Sequence, residues 1–128
     1  MAKKILQVVE SAYRATLEEQ DDTVIWITHA MKGAGGDFSV VLRGNAVNYG
    51  VKGQDASGLS FGARKQTQPP RLAEDVAKLV DKGVDVFVVS DDAAERGIER
   101  SDLISGLKQV SRDELPRLFA SHDQVWHW

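Results

Sequence analysis

The sequence predicts an α/β domain with a mainly parallel sheet, and three observations predict it. Short apolar runs alternate with amphipathic or polar stretches along the 128 residues. The run VDVFVV at 84–89 is apolar except for Asp85, as in a strand covered on both faces. It leads directly into a charged turn, SDDAAERGI at 90–98, and open α/β sheets place their chemistry at such junctions.

The first run, KILQVV at 4–9, reads as a buried strand. Residues 10–20 are polar and carry Glu18 and Glu19. The segment 21–35 is ambiguous. Residues 23–28 are β-branched apart from Trp26, which favours a strand. Against this, Leu17, Val24, Ile27, Met31 and Ala34 fall on one helical stripe. Asp21 and Asp22 suit a first turn, and Gly33, Gly35 or Gly36 a helix stop.

DFSVVLR at 37–43 predicts a strand, and GNAVNYG at 44–50 a turn with one helical turn. Residues 51–70 are rich in Gly, Ser, Gln and Pro, a long loop of the functional or mobile kind. RLAEDVAKLVDK at 71–82 gives the clearest helix. Leu72, Ala73, Val76, Leu79 and Val80 share a face, Glu74 and Lys78 are spaced to pair, and Gly83 stops it. Residues 91–97 read as a short helix, and 101–105 begin another structured piece. Ser111 and Glu114 have capping-box spacing, while Pro116 sets the helix start near Asp113. QVWHW at 124–128 is a last strand.

The length suits a single domain spanning 1–128. A net charge of -3 offers no basic excess to neutralise a phosphate backbone, so no nucleic-acid partner is expected. The apolar run after Lys3 and Lys4 is too short for a secretory signal. No run approaches the roughly 18 apolar residues of a membrane span, so the expected address is cytoplasmic, with no membrane partner. Cysteine is absent, which excludes disulfides, thiolate metal sites and cysteine nucleophiles. His29, His122 and His127 lack metal-ligand spacing, so neither metal nor cofactor is expected.

Several side chains invite a functional reading beside a structural one. Gly33, Gly35 and Gly36 match no phosphate-loop spacing and read as a helix stop. Asp91 and Asp92, with Glu95 and Arg96, are placed for acid–base work or for an N-cap made by Ser90 or Asp91. Arg43, Asn45, Asn48 and Tyr49 end the second strand, where they cap a turn or bind a small polar or anionic ligand, with Gln66 and Gln68 from the long loop. Trp126 and Trp128 lie on one face of the last strand, as core or as a subunit contact.

Taken together, KILQVVESAY, DFSVVLRGNAVNY, KGVDVFVVSDDAAERGI and the ending SDLISGLKQVSRDELPRLFASHDQVWHW resemble the DsrE/DsrF-like family over nearly the whole chain. The resemblance implies a three-layer α/β sandwich with a mainly parallel sheet of about five strands. It makes 18–33 the first helix, against its propensity. It implies a homo-oligomer, trimer or hexamer. Sulfur-relay members carry a persulfide on a cysteine at the end of the strand before the RG dipeptide; aligning on Arg96 and Gly97 puts that position at Val89, or at Ser90 after a slip of one. Neither side chain can carry sulfane sulfur.

The expected function is therefore a non-catalytic, oligomeric protein that binds a small ligand or a partner. Two alternatives stand beside it. One is an enzyme of unrelated chemistry using Asp91 or Asp92 with Arg43 or Arg96. The other is a structural subunit of a sulfur-oxidation complex.

Overall fold

A computed structural model describes residues 3–18, 20–54 and 56–128; Glu19 and Asp55, in the polar stretch and the long loop, lie outside the described residues. The described residues form seven strands and four α-helices: β1 (Lys4–Val9), α1 (Thr23–Gly33), β2 (Asp37–Leu42), β3 (Ser60–Phe61), β4 (Arg64–Lys65), α2 (Leu72–Asp81), β5 (Asp85–Val89), α3 (Ser90–Glu95), β6 (Lys108–Val110), α4 (Leu115–Ala120) and β7 (Gln124–His127). Short 3-10 turns occupy Gly44–Gly50, Arg100–Asp102 and Arg112–Glu114.

Five strands make one parallel sheet in the order β6-β5-β2-β1-β7, and β3 and β4 form a small separate hairpin. Strand alternation sends Val9, Val40, Leu42, Val86 and Val88 to one face, where Val24, Ile25, Val76 and Leu79 of α1 and α2 cover them. Leu6, Val8, Val41, Val89 and Val110 go to the other face, against Leu115 of α4. This is the three-layer sandwich with a five-stranded parallel sheet.

Helix α1 forms despite its β-branched residues because Asp22 caps it: its Oδ1 accepts the N–H groups of Val24 and Ile25 at 2.8 and 3.0 Å. The helix accordingly begins at Thr23, later than the implied start at 18. Its buried stripe is Val24, Ile25 and Thr28, while Ile27 faces outward and Leu17 lies outside the helix. The Thr28 hydroxyl donates to the Val24 carbonyl and accepts from buried Gln7, whose Oε1 takes the Trp128 indole N–H at 2.7 Å. That network ties α1, β1 and the chain end together.

Gly83, at φ 85°, ends α2 as expected. Glu74 pairs with Arg71 at 3.4 Å instead of Lys78. Ser111 and Glu114 form the capping box, and the 3-10 turn it closes feeds α4 at Leu115 with Pro116 in the first turn. The piece beginning near 101 is a 3-10 turn, and the strand beyond it is β6. Trp126 packs edge-on to Phe38, with ring centroids 5.8 Å apart.

Candidate functional site

Parallel strands put all their carboxyl ends on one edge, so the loops after β1, β2, β5 and β6 meet there. Arg43, Asn45, Asn48, Asp91, Asp92 and Arg96 all lie on these loops. The edge divides into two parts with opposite character.

The first part joins α3 to its neighbours. Asp92 is only 7% exposed. Its Oδ2 accepts the Gly44 N–H at 2.7 Å, and its Oδ1 pairs with the Arg112 guanidinium, which also holds Glu95 at 2.9 Å. Gly44 sits at φ 55°, a backbone that favours glycine and aims its N–H at the carboxylate. Burial alone would push the Asp92 carboxyl up; the Gly44 N–H and Arg112 outweigh it and hold the group below the ordinary carboxylate range. Asp91 accepts the Arg112 backbone N–H at 3.0 Å.

Neither acid caps its own helix. Val89 occupies the N-cap position without a side-chain bond, and the Ser90 hydroxyl donates to the Val110 carbonyl. The expected cap is replaced because these side chains bond across to the loops after β2 and β6. Arg96 bridges the Asp92 carbonyl and the Asn45 Oδ1 at 2.9–3.1 Å. Val89 is fully buried.

Polar bonds continue along the edge. The Asn48 amide donates to the Asn45 carbonyl at 2.8 Å, and the Gln54 amide to the Asn48 carbonyl at 2.6 Å and the Val51 carbonyl at 2.9 Å. Arg43 pairs with Glu10 at 3.2 Å. Tyr49, fully buried, points away from this line: its hydroxyl donates to Asp22 Oδ2 at 2.6 Å and accepts the Arg14 N–H at 2.9 Å. Burial first, then the bond to Asp22, raises its pKa far above the usual phenol value.

The second part is a cleft of about 330 Å³ between the loop after β1 and the segment leading to α2. Tyr13, Leu17, Gln54, Ala56, Pro70 and Leu72 shape it. Tyr13 stands edge-on to Tyr49 with centroids 5.3 Å apart, and its hydroxyl donates to Gln54 Oε1 at 2.7 Å. Carboxylates strap the two walls: Glu18 accepts the N–H groups of Thr67 and Gln68, and Asp21 that of Arg71 at 2.9 Å. The Gln66 amide donates to the Leu17 carbonyl.

The six residues singled out by sequence do not converge on one point. Arg43, Asn45 and Asn48 form the polar line, Tyr49 stands behind the cleft, and Gln66 and Gln68 lie on its strap. Sequence reasoning missed Tyr13, Leu17 and Gln54. The available signal was a tyrosine and a leucine inside the polar stretch 10–20. Among the described residues, no three His, Cys, Asp or Glu side chains are grouped to hold a metal ion. No helix among the described residues is long and apolar enough to cross a membrane.

No curated protein sequence matches the chain. Its fold matches that of the YchN protein from E. coli, with a TM-score of 0.75, 21% identity and 100% of both chains covered. It also matches MTH1491, a protein of unknown function from Methanobacterium thermoautotrophicum, with a TM-score of 0.63 and 14% identity over 98% of this chain and 99% of that one. The layered parallel sheet is thus shared with solved proteins, and a family model matches residues 3–127: the chain belongs to the DsrE/DsrF-like family.

Proposed function

We propose that this chain is a non-catalytic, small-ligand-binding member of its family that does not transfer sulfur. It works as a homo-oligomer, a trimer or hexamer, in the cytoplasm. The observation that carries the reading is Val89. It stands at the end of β5, where the resemblance places the persulfide cysteine, and it is fully buried in a chain with no cysteine. Sulfur relay needs a thiolate that both attacks and leaves, and no residue here supplies one.

Acid–base catalysis by Asp91 or Asp92 has little support. Asp92 is held ionised, with both oxygens engaged, so it is a weak base at neutral pH. Ligand binding fits the edge better. Arg43, Asn45 and Asn48 line its polar part, and Tyr49, Gln66 and Gln68 support the adjoining cleft.

Mass spectrometry of small molecules released by heating the purified protein tests the binding reading, with light scattering for the oligomer. A recurrent metabolite in near-stoichiometric amount is expected. Sulfane sulfur found on the purified chain by cyanolysis would overturn the reading.

A further inference from the structure

We infer that the cleft lined by Tyr13, Leu17, Gln54, Ala56, Pro70 and Leu72 takes a small, uncharged aromatic molecule that donates one hydrogen bond, of the phenol or indole type. This rests on the small-ligand reading above and deepens it.

Size and shape give the first constraint. A volume of about 330 Å³ lies at the lower end of small-molecule sites, which run to roughly 1,000 Å³. Leu17, Pro70 and Leu72 supply apolar walls, and the Tyr13 ring adds an aromatic one. Among the described residues, no lining side chain carries a charge. On the strap, Glu18 accepts the N–H groups of Thr67 and Gln68, and Asp21 Oδ1 accepts that of Arg71. An ionised ligand would lose water here without gaining a counter-charge from the described lining residues.

Hydrogen-bond bookkeeping gives the second constraint. Both hydrogens of the Gln54 amide go to carbonyls, those of Asn48 and Val51. That fixes the amide's orientation, so Oε1 faces Tyr13 and accepts its hydroxyl proton. The Tyr13–Gln54 pair then has no donor left. It presents only oxygen lone pairs to the cleft. Burial raises the Tyr13 pKa, which keeps the hydroxyl neutral. A ligand hydroxyl or N–H completes the pair, and a ligand bearing only acceptors meets lone pair against lone pair.

The test uses the intact protein with three probes: indole, benzofuran and benzoate. Indole and benzofuran have nearly the same shape, and only indole donates. Affinities come from heteronuclear NMR titration, which also maps the site. Indole should shift the amide signals of 13–17, Gln54, Ala56 and Leu72. Benzofuran should bind about fivefold more weakly, the loss of one ordinary hydrogen bond. Benzoate should bind at least about tenfold more weakly. Leu17→Glu should abolish indole binding, with Ala56→Trp as an independent way to fill the cleft. Equal affinity for indole and benzofuran overturns the donor requirement. Indole shifts that map elsewhere, or that survive both substitutions, overturn the site and leave the small-ligand reading standing. Failure of all three probes overturns the inference, while the heat-release experiment decides the broader reading separately.

Discussion

The two parts of the carboxyl edge differ although the same parallel strands present them. Around α3, each polar group is matched: Asp92 by Gly44 and Arg112, Arg96 by Asn45, Asp91 by the Arg112 backbone. Val89, at the end of β5, is buried in the adjoining core with Val110 and Leu115. Around Tyr13 the edge is open, apolar and short of donors. Satisfied polar contacts make a rigid junction, whereas an apolar hollow with spare acceptors leaves room for a small molecule. The junction after β5 is closed, and the neighbouring hollow is open.

The largest expected effect is on the closed part. Asp92→Ala removes a buried acceptor of a backbone N–H and of Arg112, and should cost about 2–3 kcal/mol in urea unfolding. Asp92→Asn keeps acceptor capacity and should cost less. Equal stability of Asp92→Ala and the parent would show that the clamp is ornamental. Next comes the wall shared with the open part. Tyr49→Phe strips the bond from buried Asp22 Oδ2 and frees the Arg14 N–H, for an expected loss of about 1–2 kcal/mol. Loop 10–16 should then exchange its amide hydrogens faster, while the loops around α3 do not. Faster exchange in both would mean that the two parts are one unit.

Much of the closed part was legible in the sequence, and little of the open part. Strands β1, β2 and β5 are mostly apolar past their first residues, interrupted only by Gln7 and Ser39, because both sheet faces are covered, and α2 shows its buried face as Ala73, Val76 and Leu79. The junction after β5 announces itself by the charged run 90–96. What the run could not show is direction: Asp91 and Asp92 reach across to other loops, since contacts over 20 and 48 residues leave no local pattern. Strand β6 was invisible because it has three residues and only Val110 is buried. The cleft was invisible because its walls come from three separated segments, none with a period of its own. In α1, a buried Asp22 cap overruled β-propensity.

A smaller effect probes Val89 itself. Val89→Cys restores a sulfur atom at the position implied by the resemblance, with little change of shape and a cost of about 1 kcal/mol. The thiol should react with Ellman's reagent at least roughly tenfold more slowly than one placed at exposed Ser101, because burial raises a thiol pKa and blocks access. Fast labelling would mean that the closed part opens readily, and the contrast between the two parts would weaken.

The smallest effect lies behind the open part, where α1 and α2 meet. Burial, then the neighbouring Asp21 carboxylate and a hydrogen bond with it, push the Asp75 carboxyl up to about 6 from 3.8, with Lys78 opposing and Glu74 adding to the rise. A carboxyl whose folded pKa exceeds its unfolded value stabilises the fold while protonated. That contribution is complete below about pH 3.8 and is lost as pH rises through about 6. Asp75→Asn mimics the protonated group, so it should raise the melting temperature modestly at about pH 7.5 and change it little at about pH 4. The Asp21 strap to the Arg71 N–H remains in this variant, so indole affinity should stay unchanged. A stability gain of equal size at both pH values would place the effect in packing and remove the carboxyl pair from the account. A change in indole affinity would instead join the α1–α2 contact to the cleft wall, making the open part deeper than its lining residues.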